Sequence, residues 1–294
     1  MKIKKVIILG IDAVEYDLVE EWDLKNLKQK EYGKTILPLL PNQEPATVII
    51  WPCFITGKEP DEMGYSTVYV FAKPLKPFIS ILTPLTRKLF IDSEAEDRTQ
   101  KKKGKQSMLN KIVTILKTHG LTHKPTKDDI KAETIFDNKK IKSVHLHIPV
   151  YDKDDFPEYR KDIVNVISEK IHHPVIEMKQ KKEFKKRTKE VFKILERDDW
   201  QLFMQYFYVL DGVQHIFYKS PKKIAEFYLM FDEFVKKVNK EIDDETLLLI
   251  VSDHGLKKGI HTTHGFYSVN KRLGLKNPKI IDFKWTIEDM LKKS

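Results

Sequence analysis

The chain has 294 residues, 41% of them hydrophobic and 33% charged, with a formal net charge of +10. That balance excludes a disordered chain and suits one large α/β domain or two small ones with a buried core. The single cysteine, Cys53, excludes an intramolecular disulfide and favours a cytoplasmic location. The basic excess favours anionic partners such as phosphate esters, nucleotides, nucleic acid or acidic lipid headgroups, unless it is only a solvated lysine-rich surface.

Val6–Ile11 is a continuous apolar, β-branched run and reads as a buried parallel strand. It is too short for a signal-peptide core or a membrane span. Asp12 stands at its C-terminal end, where open α/β sheets place functional groups. Glu15 to Leu27 reads as a helix, and the segment holding Pro38, Pro41 and Pro45 as loop. A helix is expected from Ala46 onward with Thr47 near its N-terminus, where backbone N–H groups favour an anion. Phe71 to Phe90 is apolar with interspersed prolines, Asp92 to Lys105 is charged, and Asn110 to Thr118 is a helix candidate. Residues 72–135 are therefore expected to form an insertion or cap on a discontinuous core, 1–71 and 136–294.

Ile141 to Ile148 returns to strand and Pro149 ends it. Lys161 to Lys170 and Lys182 to Glu196 read as helices. Gln201 to Leu210 reads as a strand ending at Asp211, and Lys222 to Lys240 as an amphipathic helix. Leu247–Val251 is a further buried strand, followed by Ser252-Asp253-His254-Gly255. Three apolar strands thus end in Asp12, Asp211 and Asp253. Helices between them keep the strands parallel and bring those ends to one edge of the sheet.

Together with His215, His254 and either His261 or His264, these aspartates are the ligand set two divalent cations would need, and Thr47 offers a hydroxyl between them. Each fragment has an ordinary alternative. Asp211 and His215, four apart, fall on one helix face and can hold one cation, or can be an N-cap and a surface histidine. The turn after the last strand needs Gly255. Thr47 alone could be a helix cap, because its hydroxyl is a useful nucleophile only if a metal lowers its pKa. His261 and His264 compete for one ligand position. His145 and His147 belong to a strand and His172-His173 to a loop. Cys53 reads as core packing.

The combined pattern resembles the alkaline phosphatase superfamily, in particular the type I phosphodiesterase/nucleotide pyrophosphatase branch. The resemblance rests on Gly10-Ile11-Asp12, on Pro45-Ala46-Thr47 through Trp51-Pro52 with Thr56-Gly57, on Leu210-Asp211-Gly212-Val213-Gln214-His215, on Val251-Ser252-Asp253-His254-Gly255, and on His261 before Gly265-Phe266. It implies a three-layer α/β sandwich with a mainly parallel central sheet and helices on both faces. It also implies a metal-dependent phosphoric ester hydrolase. One cation would be held by Asp211, His215 and His261, the other by Asp12, Asp253 and His254. Thr47 would be the nucleophile bridging them. Zinc is the usual metal in the family, with manganese or iron as variants, and His261 is preferred to His264 by analogy.

The chain departs from the family at Ala13, where glycine is common. It also has no asparagine between Gly57 and Lys73, where Ser66, Thr67 and Val68 stand instead. The substrate class implied is a small phosphate ester. A phosphodiesterase is the first expectation and a phosphomonoesterase or phosphomutase the second. A different class, a basic protein binding nucleic acid or an anionic membrane surface, would use the Lys101–Lys105 run and the stretch from Pro74 to Leu89.

Overall fold

The structure, a computed structural model, describes residues 2–39, 44–68, 70–71, 122–153 and 173–292. Its strands are β1 (Lys5–Ile11), β2 (Glu31–Ile36), β3 (Val70–Phe71), β4 (Thr122–His123), β5 (Ser143–Leu146), β6 (Leu202–Phe207), β7 (Thr246–Ser252), β8 (Leu256–Lys257), β9 (Ile260–His261) and β10 (His264–Val269). Its α-helices are α1 (Tyr16–Glu21), α2 (Lys25–Lys28), α3 (Thr47–Thr56), α4 (Pro60–Met63), α5 (His173–Leu195), α6 (Val209–Ile216), α7 (Pro221–Glu241) and α8 (Asp282–Lys292).

Six strands form one mixed sheet in the order β2-β10-β7-β1-β6-β5. β1 is parallel to both β7 and β6, and β5 is parallel to β6. β10 alone runs against the others, antiparallel to β7 and β2. The sheet is covered on both faces, which is why β1 and β7 are apolar without alternation. Ile7, Leu9, Phe203 and Ile250 face a core closed by α5, α6 and α7. Val6, Ile8, Met204 and Leu249 face a second core closed by α3 and α8. This is the expected three-layer α/β sandwich with a mainly parallel centre.

α3 carries Thr47, the candidate hydroxyl, at its first position. Trp51 on this helix lies against Gly10 of β1 so closely that a Cβ at Gly10 would stand 2.7 Å from the indole Cη2. The missing side chain lets the helix settle on the strand. Pro52 has no N–H to give to Val48, and the Tyr65 hydroxyl donates to the Val48 carbonyl instead, at 2.6 Å. Gly57 ends the helix in a left-handed conformation, φ 63°.

Several boundaries differ from the sequence reading. Glu15 to Leu27 is two short helices, α1 and α2, broken at Trp22 to Leu24, where Asp23 takes φ 45°. The β6 strand stops at Phe207 and α6 begins at Val209, so Asp211 lies inside the first helical turn and not at the strand end. The strand near residue 145 is only Ser143–Leu146, because His147 and Val150 both take positive φ. His173 opens a helix, α5, that starts nine residues before the expected Lys182.

The helices expected at Lys161–Lys170 and Asn110–Thr118, the Lys101–Lys105 run, the stretch from Pro74 to Leu89 and His172 lie outside the described residues. Most of the expected insertion does too. Its described end pairs β4 with β3, and Ile135 N donates to Ile55 O of α3 at 2.7 Å. No α-helix among the described residues is long and apolar enough to cross a membrane.

Candidate metal centre

The carboxyl ends of β7, β1 and β6 lie side by side, and the chemistry gathers there. Asp12 directly follows β1 and Asp253 directly follows β7. Asp211 and His215 sit one turn apart on α6, which leaves the end of β6 after a single residue. His261 ends β9, the second arm of a short hairpin whose turn residues Lys258 and Gly259 take φ 53° and 80°. Thr47 is the first residue of α3, and only 8% of its surface is exposed.

Two groups of candidate ligands form: Asp12, Asp253 and His254, and Asp211, His215 and His261. In each, the ligating atoms all lie within 4.8 Å of one another. In the first, His254 Nε2 stands 3.2 Å from Asp12 Oδ1 and 3.7 Å from Asp253 Oδ2. In the second, His215 Nε2 is 3.0 Å and His261 Nε2 3.8 Å from Asp211 Oδ1. The groups adjoin, because the His254 and His261 rings stack with centroids 4.1 Å apart. Thr47 Oγ1 donates to Asp12 Oδ2 at 3.4 Å and so touches the first group.

The electrostatics suit cations. Asp12 and Asp253 are almost wholly buried. Asp12 Oδ1 and both carboxylate oxygens of Asp253 have no hydrogen-bond partner among the described residues. Burial, reinforced by the charges of Asp253 and Asp211, drives the Asp12 carboxyl well above its usual range, against the pull of His254 and Tyr206. Burial pushes Asp253 up to about 7; the Asp12 and Thr47 side chains oppose that rise and the Asp211 charge adds to it. Burial also acts upward on Asp211, but His215, His254 and His261 outweigh it and hold this carboxyl below its usual value. Buried carboxylates short of donors are costly unless positive charge arrives. These residues therefore fit a pair of divalent cations, with oxygen and imidazole donors suited to zinc or manganese.

The two competing histidines separate. His261 joins the second group, whereas His264 Nε2 stands 3.4 Å from Glu15 Oε1 and belongs to neither group. His145 and His147 are held elsewhere, by Asp152 at 2.8 Å and Glu190 at 3.0 Å. Cys53 is buried core, its thiol pushed up by burial. Gly255 is needed for a different reason from the one the sequence suggested. Its φ is not positive; its close neighbours are Glu15 and Thr262. Ala13, where glycine is common in the family, does take φ 59°.

Sequence reasoning missed the residues behind the candidate ligands. The Tyr206 hydroxyl donates to Asp12 Oδ2 from inside β6. Ser252 Oγ accepts from Val14 N at 2.9 Å and donates to His254 O at 2.7 Å, tying the two ligand loops together. Gln214 Nε2 holds Ala13 O at 2.6 Å. Ser252 and Gln214 lie within the quoted motifs and could have been suspected; a strand tyrosine such as Tyr206 carries no local signal.

Buried acids, imidazoles and the Thr47 hydroxyl thus gather at the carboxyl edge of a mainly parallel sheet, and the family whose pattern the chain matches is one of phosphoric ester hydrolases. The chain matches the type I phosphodiesterase/nucleotide pyrophosphatase family over residues 6–276 and belongs to that family. No curated protein matches it by sequence. Similar solved structures include the PH0037 protein from Pyrococcus horikoshii, at 11% identity and TM-score 0.47, covering 100% of this chain and 99% of that one. Murine ectonucleotide pyrophosphatase/phosphodiesterase 5 is 14% identical with TM-score 0.46, covering 86% of this chain and 57% of that one. The alkaline phosphatase from the Antarctic bacterium TAB5 is 12% identical with TM-score 0.47, covering 99% and 98%.

Proposed function

We propose that the chain hydrolyses phosphodiesters through Thr47, with one divalent cation held by Asp12, Asp253 and His254 and a second by Asp211, His215 and His261. The observation that carries this reading is the buried Thr47 hydroxyl, hydrogen-bonded to Asp12 at the edge of a group whose carboxylate oxygens Asp12 Oδ1 and Asp253 Oδ1 and Oδ2 have no hydrogen-bond partner among the described residues. Bound cations would supply positive charge to the phosphoryl oxygens and lower the pKa of the Thr47 hydroxyl. Asp12 orients Thr47 Oγ1, and the N-terminus of α3 presents its backbone dipoles to the anion at the same place.

Thr47 Oγ1 gives its proton to water and attacks phosphorus, the bond to the leaving oxygen breaks, and the leaving oxygen takes a proton from water and departs as an alcohol. Water then attacks the phosphorus of the threonine-linked phosphodiester, which still carries the second ester group. The bond to Oγ1 breaks, the hydroxyl is restored and a phosphomonoester is released.

Thr47→Ala is expected to lower turnover of bis-p-nitrophenyl phosphate by at least ~1000-fold while the protein still binds two Zn²⁺ or Mn²⁺ ions. Mass spectrometry of quenched wild-type reactions with bis-p-nitrophenyl phosphate should show a p-nitrophenylphosphoryl group on Thr47. Wild-type-like turnover by the variant would refute the mechanism. Faster hydrolysis of p-nitrophenyl phosphate than of the diester would move the chain to the monoesterase or mutase reading. That reading has support in the lack of an asparagine between Gly57 and Lys73.

A further inference from the structure

A buried acid that no motif predicts lies behind the ligands. Glu15, three residues after Asp12 and immediately before α1, is wholly inaccessible to solvent. One of its oxygens accepts from Thr262 Oγ1 at 3.1 Å, and the other stands 3.4 Å from His264 Nε2. Thr262 and His264 in turn grip Gly255. Gly255 N donates to Thr262 Oγ1 at 3.1 Å and to His264 O at 3.0 Å, and Thr262 N donates to Gly255 O at 2.9 Å. There is no spare room: a Cβ at Gly255 would stand 2.1 Å from Glu15 Oε2 and 2.6 Å from Thr262 Oγ1. Glu15 is itself anchored, its N donating to the Tyr228 hydroxyl at 2.8 Å and its Oε1 accepting from Asp17 N at 3.2 Å.

The carboxylate reaches the chain neighbours of two ligands, Thr262 directly and Gly255 through Thr262 and His264. Thr262 is the chain neighbour of His261, Gly255 is the chain neighbour of His254, and Glu15 shares the loop of Asp12. A carboxylate serving only to cap α1 would need Asp17 N and nothing more. Glu15 also holds two side chains from the far end of the sequence. His264, the unused competitor for the last ligand position, acquires a role as its partner.

We propose that Glu15 is a positioning residue that acts through Thr262 and His264 to set His254 and His261 against Asp12, and so couples the two ligand groups. This rests on the two-cation reading given above. Outer partners of ligands commonly change metal affinity by about 10–100-fold when removed.

The test is calorimetric titration of the full chain with Mn²⁺, beside melting of the same proteins in EDTA. Glu15→Ala and Thr262→Val should each weaken Mn²⁺ binding by about 10–100-fold. The double variant should bind no more weakly than the worse single variant, because both substitutions cut one connection. Glu15→Gln keeps a group that can bond Thr262 and should recover part of the affinity. If Glu15→Ala does not fold in EDTA, Glu15→Gln and Thr262→Val carry the comparison. Wild-type affinity in Glu15→Ala, or losses that multiply in the double variant, would overturn the role. Asp12→Asn serves as the reference that removes a ligand directly. Wild-type protein that binds fewer than two ions would instead overturn the two-cation reading, and this role with it.

Discussion

Asp253→Asn should stabilise the metal-free protein at pH 8 and weaken the metal-loaded one. The buried Asp253 carboxyl titrates at about 7 in the folded chain against an ordinary value of 3.8. A raised folded pKa means that the acid form supports the fold fully below pH 3.8. That support is lost as pH rises through 7, where the folded chain must hold a buried charge that the unfolded chain carries in water. The gap corresponds to an upper figure of about 4 kcal/mol at alkaline pH, and relaxation and water entry bring the expected gain to roughly 2 kcal/mol. In EDTA at pH 8 the variant should therefore melt several degrees above wild type. Near pH 4 the difference should vanish, because both side chains are then neutral. With Zn²⁺ or Mn²⁺ present the order should invert, since the variant has lost an anionic ligand. Differential scanning calorimetry at pH 4 and 8, with and without metal, gives all four comparisons. A variant that is destabilised equally at both pH values in EDTA would refute the reasoning that charge crowding, and not packing, dominates at this position.

Gly10→Ala places a methyl 2.7 Å from the Trp51 ring; it should cost about 1–3 kcal/mol in chemical denaturation and displace α3 enough to lower turnover as well. Tyr206→Phe removes the hydroxyl that donates to Asp12; a loss of about 1–3 kcal/mol in metal-free stability is expected, checked by urea unfolding in EDTA. His261→Ala should reduce the number of tightly bound ions from two to one in a metal titration, whereas His264→Ala should keep both ions but bind them more weakly. Replacing Arg187, which is wholly buried between Glu183 and the Tyr206 carbonyl, by Met should cost about 3–5 kcal/mol of thermal stability by leaving Glu183 without its partner.

The elements legible in the sequence were those whose pattern is set by local burial. β1 and β7 are covered on both faces and so read as unbroken apolar runs, and their ends placed Asp12 and Asp253 correctly. α7 was legible to within a residue at each end, because one of its faces lies on the core and the other in water. Boundaries failed where the backbone turns against local preference. His147 at φ 63° ends β5 early, with the Asp152 carboxylate accepting from Ile148 N at 2.8 Å to fix the turn. Phe207 and Tyr208 look alike in sequence, yet β6 stops between them so that α6 can carry Asp211 and His215 on one face.

The candidate ligands were likewise legible one fragment at a time, since each is a short motif with its own chemistry. The competition between His261 and His264 could not be resolved from spacing. The β8–β9 hairpin carries His261 to Asp211, while the start of β10 carries His264 to a buried acid from the opposite end of the chain.

The sequence by itself determined the residue types at the strand ends, the glycine at position 10 and the family to which the chain belongs, because these are properties of contiguous residues. Only the tertiary structure decided which histidine faces which carboxylate, that Tyr206 and Glu15 stand behind the candidate ligands, and in which direction each buried acid is shifted. Those outcomes depend on distances between segments separated by as many as 247 positions, and no local pattern encodes them.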